Sequence, residues 1–216
     1  MAGILDLLNS DLGKTIVSGV AGSTGQDTDK TSSVLTMALP VLMKAMQRNA
    51  SSSEGAKGLM SALNKHDGGI LDNLGDLFNG GVNSDVLQDG SKILGHVLGN
   101  KQQGVEQVIG QKAGIDTNAV ADILKTAAPI LLGLLGKQKR ETNVNNAGDL
   151  GSLLGGLLGG NSNEREQSFL EQILDADGDG SIVDDVAGMV LGNASSSKQN
   201  SGGLLGGLLG GVFGKK

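Results

Sequence analysis

The chain lacks several residue types that define common protein classes. Its 216 residues include no cysteine, no tryptophan and no tyrosine, and only three phenylalanines. The absence of cysteine excludes disulfide bonds and thiol catalysis. A core must be built from Leu, Ile, Val, Ala and Met, which suits packed helices better than sheets because strands favour aromatic and β-branched residues. No convincing strand pattern is present, so the sequence predicts an all-α fold of one or two domains.

Positive charge is also scarce, and the formal net charge is -6. Acidic chains bind DNA and RNA poorly, so we expect no nucleic-acid partner. The start, Met1-Ala-Gly-Ile-Leu-Asp, has no basic region followed by an apolar region and a cleavage site. No run approaches the roughly 20 apolar residues of a membrane span. We therefore expect a cytoplasmic protein, with export that needs no cleaved N-terminal signal as the alternative.

Residues for enzymatic chemistry are few. His66 lies in a turn before Asp67-Gly-Gly69, and His96 lies on an amphipathic segment beside Leu94 and Val97. Neither is near a serine or carboxylate at a catalytic spacing, so we expect both to be packed or surface residues. The sequence contains no GxGxxG after a strand, no P-loop and no HExxH. These features predict a protein that is not an enzyme.

Two segments of the chain are similar to each other. Residues 16–48 align with residues 105–137 at a constant offset of 89. The two prolines of the chain, Pro40 and Pro129, fall at equivalent positions. Further matches pair a glycine, an Asp-rich turn and aliphatic residues: Gly25 with Gly114, Asp27-Thr-Asp29 with Asp116-Thr-Asn118, and Val34-Leu35 with Ile123-Leu124. The pattern predicts an internal duplication that folds as a pseudo-symmetric helical bundle over residues 1–140.

Each copy carries the signals of two helices. A short amphipathic helix is expected to end at the glycine, and the Asp-Thr pair is expected to cap a second helix. The second helix is apolar almost all round, which is typical of a helix at the centre of a core, and its proline should kink it. Between the copies, three amphipathic segments predict helices at 56–65, 70–78 and 84–98. Ser84 is the expected N-cap of the last one.

After residue 140 the sequence becomes rich in paired leucines and glycines. The octapeptide Leu-Leu-Gly-Gly-Leu-Leu-Gly-Gly occurs at 153–160, the first Leu/Gly tract, and at 204–211, the second Leu/Gly tract. As a helix, a tract has a leucine face and a glycine face, but each glycine costs about 1 kcal/mol, so the helix needs a partner surface. That surface can belong to its own bundle, another subunit or a membrane. We assign 141–163 as a Gly/Leu-rich linker and 192–216 as a flexible Gly/Leu-rich tail.

The segment between them, 164–191, has the spacing of an EF-hand calcium loop. In Asp175-Ala-Asp-Gly-Asp-Gly-Ser-Ile-Val-Asp-Asp185, carboxylates fall on alternate residues and glycine occupies the sixth position, where the loop turns sharply. The twelfth position is Val186 instead of a bidentate Glu, so we expect Asp185 to close the site with an affinity on the order of 10⁻⁵ to 10⁻³ M. The alternative is an acidic turn without metal. The predicted Ca²⁺ ligands are Asp175, Asp177, Asp179, Ser181 and Asp185.

Three stretches resemble the bacterial DUF937 family, also called YidB-like: Met1-Ala-Gly-Ile-Leu-Asp-Leu-Leu8, Asp89-Gly-Ser-Lys-Ile-Leu-Gly-His-Val-Leu-Gly99 and Ala127-Ala-Pro-Ile-Leu-Leu132. The acidic, Gly-rich segment from Asp175 also resembles the ends of such proteins, so the resemblance covers roughly residues 1–190. It implies an all-helical fold with homeodomain-like helices, and it carries over no catalytic residue.

These patterns predict a structural or interaction protein that self-associates into a homo-oligomer or filament. Calcium is expected to order the C-terminal segment so that a Leu/Gly tract can pack on a neighbour. The alternative is a membrane-active or surface-deposited Gly-zipper protein of a toxin-like kind, because the basic tip Lys215-Lys216 follows the second Leu/Gly tract.

Overall fold

The computed structural model describes residues 3–158, which contain α-helices and no strand. The prediction of an all-helical protein is therefore confirmed for this part of the chain. The calcium segment at 164–191 and the tail at 192–216 lie outside the described residues. One 3₁₀ turn spans Gly99–Lys101. The ten helices of the described part are α1 (Ile4–Leu8), α2 (Asp11–Thr24), α3 (Thr28–Ala50), α4 (Ser53–Lys65), α5 (Gly69–Asp72), α6 (Leu74–Phe78), α7 (Ser84–Leu98), α8 (Gln102–Ala113), α9 (Thr117–Glu141) and α10 (Ala147–Leu158).

The two longest helices, α3 and α9, begin and end at strong local signals. Asp27 caps α3 by accepting hydrogen bonds from two backbone N–H groups of the first turn, and Asp116 caps α9 by accepting one. The preceding helices, α2 and α8, end at Gly25 and Gly114, whose φ angles of 65° and 66° are in the left-handed region. Glycine adopts this conformation at little cost, so it terminates both helices at the predicted places.

Helices α3 and α9 form the centre of the core. Both are buried on most sides, and each continues through its proline, Pro40 or Pro129. By length and composition α9 could cross a membrane, but 78% of its most apolar window is buried inside the helical body. Its hydrophobicity is therefore that of a core helix. The large side chains that are almost fully buried include Leu35, Leu42, Met43, Met46, Ile123, Leu124, Ile130, Leu132 and Leu135.

The other helices surround this central pair. Helices α2 and α8 each pack against both α3 and α9, α7 packs mainly along α9, and α4 lies against both long helices. Two glycines allow very close approach of backbones. A Cβ atom at Gly90 of α7 would overlap the Lys125 backbone of α9, and one at Gly136 of α9 would overlap the backbone of His66. Helix α7 therefore approaches α9 more closely than any larger side chain at Gly90 would allow.

Three local expectations differ from the structure. The segment at 70–78 is two short helices that break at Asn73, whose φ of -122° is not helical and whose Nδ2 donates to the Gly69 carbonyl oxygen. Helix α7 is capped by Asn83, which accepts from the Val86 N–H, so Ser84 is the first helical residue and not the N-cap. Part of the segment assigned as linker, 147–158, is helix α10.

Candidate functional site

Helix α10 contains the described part of the first Leu/Gly tract and packs on α3 and α4. Its start is fixed by Asn146 and Asp149. The Asp149 N–H donates to Asn146 Oδ1 at 2.9 Å, and Asn146 Nδ2 donates to Asp149 Oδ2 at 2.7 Å. The first bond satisfies a backbone N–H of the first turn, and the second holds the capping Asn146 side chain in place. The tract therefore docks on its own helical body, which is one of the three surfaces predicted for it.

Docking of α10 depends on one leucine face. Leu150 and Leu154 are 0% exposed, and Leu153 and Leu157 are also buried. Each buried leucine contributes about 1.5–3 kcal/mol, whereas each glycine in the helix costs about 1 kcal/mol relative to alanine. The helix is consequently stable only while its leucines are covered by protein. Gly155 lies against α3, where a Cβ atom would be 3.3 Å from Gln47 Nε2, so glycine also brings the two helices together.

A groove of about 500 Å³ lies between α4 and α7, and we call it the α4/α7 groove. Its volume is within the range of about 300–1,000 Å³ that is typical of ligand pockets. The deepest residues are the buried Met46, Ile93 and Leu132. Leu59 and Val97 extend the apolar lining and are partly buried. The groove is therefore an apolar surface that the described residues leave uncovered.

One wall of the α4/α7 groove is made of small residues. Gly55, Gly58 and Ala62 of α4 all line it, and their spacing places them on one side of the helix. A Cβ atom at Gly58 would meet no other atom within 4 Å. The wall is therefore open at Gly58, whereas Gly55 already packs against the backbone of Asn49. Sequence reasoning did not identify the groove, although the Gly-Ala spacing on α4 was a signal that could have indicated it.

Both ends of the α4/α7 groove are fixed by hydrogen bonds. At one end, Asn49 Nδ2 donates to the carbonyl oxygens of His96 and Val97, at 3.1 and 3.2 Å. At the other end, Lys65 Nζ and His66 Nε2 lie 3.4 and 3.2 Å from the carboxylate of Asp89. These contacts hold α4 and α7 antiparallel with the groove open between them.

Burial lowers the pKa of His66, and Lys65 lowers it further, whereas Asp89 raises it. Desolvation is the largest of these effects. At neutral pH the imidazole is therefore mainly neutral, and its Nε2 lies beside the Asp89 carboxylate as a polar contact. The His66 side chain is 14% exposed and His96 is exposed, so the two histidines are in packed and surface positions respectively.

The predicted calcium ligands, Asp175, Asp177, Asp179, Ser181 and Asp185, lie outside the described residues. Among residues 3–158, no group of three or more His, Asp or Glu residues is placed to hold a metal ion. Two basic residues at the end of α9 each contact a polar side chain. Arg140 Nη1 lies 3.4 Å from Asp67 Oδ2, and Lys139 Nζ donates to Asn64 Oδ1 at 2.9 Å. The end of α9 is thereby tied to the last turn of α4 and to the turn that follows it.

A family model described as "Bacterial protein of unknown function (DUF937)" matches residues 6–138 of the chain. This match covers more than half of the sequence, so the chain belongs to the DUF937 family, as the resemblance indicated. The match covers α2 to α8 and nearly all of α9. No curated protein and no solved structure matches the chain. The homeodomain-like character of the helices stays a prediction.

Proposed function

We propose that this member of the DUF937 family is a non-enzymatic structural protein that self-associates into a homo-oligomer or filament through its second Leu/Gly tract. The observation that carries the proposal is the docking of α10, whose leucines are buried by α3 and α4. The same eight residues recur at 204–211. A segment with the same leucine face has the same need for an apolar protein surface.

The site on α3 and α4 is not free for the second tract. Only five residues separate the end of α9 from the start of α10, so α10 occupies this site at a high effective concentration. Because the tract at 204–211 is far from α9 in sequence, it competes poorly for the same site. It therefore needs another apolar surface, and a neighbouring copy of the chain provides one.

We also propose that the helical body arose by duplication. The alignment of residues 16–48 with 105–137 supports it, and so does the packing pattern. Helix α2 packs on α3 and α9, and its counterpart α8 packs on the same two helices. Helix α1 packs on α2 and α3, and its counterpart α7 packs on the equivalent pair, α8 and α9. Helix α4 lies on α9 as α10 lies on α3. On this proposal α10 is the counterpart of α4, and its leucine face is an original part of the repeated unit.

Calcium is the proposed regulator of association. The spacing of Asp175, Asp177, Asp179, Ser181 and Asp185 supports an EF-hand-like loop between the two Leu/Gly tracts. Without a cation, the clustered carboxylates repel one another, and bound Ca²⁺ removes this repulsion. Metal binding is expected to order residues 164–191 and to present the second tract to a neighbour.

A membrane is the alternative surface for the second tract, and Lys215 and Lys216 are the residues that favour it. The docking of α10 favours protein over lipid, because the identical residues of the first tract are covered by α3 and α4. The two possibilities differ in which residues matter. Removal of leucines weakens both kinds of binding, whereas removal of the two lysines weakens only binding to an anionic membrane.

The test is sedimentation velocity of the full chain in Ca²⁺ and in EDTA, with two variants. One variant replaces Leu204, Leu205 and Leu208 by serine, and the control replaces Lys215 and Lys216 by serine. We expect a large species in Ca²⁺ that becomes smaller in EDTA and in the leucine variant, but not in the lysine control. A wild-type protein of the same mass in every condition would contradict the proposal. Co-sedimentation of the wild type with anionic vesicles, lost in the lysine control, would replace it with the membrane alternative.

A further inference from the structure

We infer that the α4/α7 groove is the docking site of the second Leu/Gly tract, residues 204–211. The inference rests on the proposed function, because it identifies the surface to which the self-association segment binds. The groove is a separate surface from the site on α3 and α4 that α10 occupies. It is apolar, it is uncovered by residues 3–158, and it is held open at both ends by hydrogen bonds.

The chemistry of the groove matches that of the tract. The tract consists only of leucine and glycine, and the groove has a floor of the buried Met46, Ile93 and Leu132 beside the partly exposed Leu59 and Val97. Its acidic and basic lining residues, Glu54 and Lys65, are exposed to solvent. An uncharged apolar segment can therefore fill the floor without burying a charge, which an acidic or basic peptide could not do.

The shape of the groove also suits this segment. Gly58, the open position of the small-residue wall, lets a neighbouring backbone lie close to α4. Glycines of the tract offer the same close approach from the other side, as Gly155 does in α10. Close contact between two glycine-rich surfaces increases the dispersion attraction between them. The fixed ends of the groove reduce the ordering cost of binding.

The length of chain outside the described residues permits this docking. Residues 159–203 connect the described part of the chain to the second tract. Residues 159–203 could span about 150 Å when extended, so the tract can reach the groove of its own chain or that of a neighbour. The proposed function expects the neighbour, and the experiment separates the two cases.

The first experiment fills the groove. Gly58→Trp places a large side chain in the open space above α4, and Gly22→Trp is the matched control, because a Cβ atom at Gly22 also meets nothing within 4 Å. Gly22 lies in α2 and is not part of the groove. We expect Gly58→Trp to remove the large species in sedimentation velocity and Gly22→Trp to retain it. Circular dichroism would verify that both variants are as helical as the wild type.

The second experiment is a disulfide cross-link, which has no background because the chain has no cysteine. One protein carries Ser61→Cys in the groove and a second, differing in mass through isotope labelling, carries Gly206→Cys in the tract. We expect a disulfide between the two chains, and none when Gly22→Cys replaces Ser61→Cys. A double variant that forms the bond only within one chain would support the groove and overturn the proposed self-association.

The outcomes distinguish failure of this inference from failure of the proposed function. Suppose that Gly58→Trp associates like the wild type and no cross-link forms, while the leucine variant of the tract is a monomer. The groove assignment is then wrong and self-association through the tract stands. If the leucine variant associates like the wild type, both proposals fail.

Discussion

The contact between α7 and α9 at Gly90 permits a quantitative test of the packing. A Cβ atom at Gly90 would lie 2.7 Å from the carbonyl carbon of Lys125 and would overlap its oxygen. Both sides of this contact are helical backbone, so neither side can move aside as a flexible side chain would. Gly90→Ala must therefore push the two helices apart along the most extensive helix pair of the body.

Two opposing effects determine how much Gly90→Ala changes the free energy of unfolding. Alanine is favoured over glycine in a helix by about 1 kcal/mol, and this gain applies at any helical position with a normal φ. Overpacking a well-packed contact costs about 1–3 kcal/mol, and the upper end applies here because rigid backbone is displaced. We expect Gly90→Ala to reduce the free energy of unfolding by about 2 kcal/mol.

Gly95→Ala is the control, since Gly95 lies in the same helix and a Cβ atom there meets nothing within 4 Å. It should increase the free energy of unfolding by up to about 1 kcal/mol. The two variants would then differ by about 3 kcal/mol in urea unfolding followed by circular dichroism, because the chain has no tryptophan for fluorescence. Equal stability of the two alanine variants would refute the close approach of α7 and α9.

Three further predictions concern other parts of the helical body. Leu154→Ala, at a fully buried position of α10, should lower the free energy of unfolding by about 2–5 kcal/mol or release α10 to proteolysis, whereas Gly151→Ala at an open position should not. Because burial lowers the pKa of His66, the folded state resists its protonation, so the free energy of unfolding should fall as pH drops below the ordinary value of 6.5 towards the lowered one. His66→Gln should reduce this pH dependence in urea titrations at pH 7.5 and about 5.5. Asp27→Ala removes the cap of α3 and should cost about 1 kcal/mol in thermal unfolding that remains two-state.

The boundaries of the central helices could be predicted because their causes are local. Gly25 and Gly114 end α2 and α8 through their own backbone conformation, and Asp27 and Asp116 cap the next helices through bonds within one turn. Each signal involves residues close in sequence, so it can be recognised without knowledge of the fold. Apolar residues on almost all sides of α3 and α9 likewise predicted that both helices would lie at the centre of the core.

The close contacts could not be predicted, because their causes lie in distant parts of the chain. In sequence, a glycine inside a helix indicates only a cost in stability. At Gly90 that cost is offset by packing against Lys125, and at Gly136 by packing against His66. The helix break at Asn73 also has its cause in contacts with distant parts of the chain. A continuous helix at 70–78 has suitable periodicity, but Gly68 and α5 pack against α9, whereas α6 packs against α2.

The Leu/Gly tracts also have features with local causes and features with distant causes. Their sequence specifies a leucine face and predicts that something must cover it, but it does not specify which surface. For the first tract, the short connection after α9 and the capping residue Asn146 place α10 on α3 and α4, and burial of four leucines outweighs the cost of its glycines. The second tract has the same leucines without the short connection. On the proposed function, its docking is decided by which apolar surface remains open, and the α4/α7 groove, with its small-residue wall and fixed ends, is the surface that we propose for it.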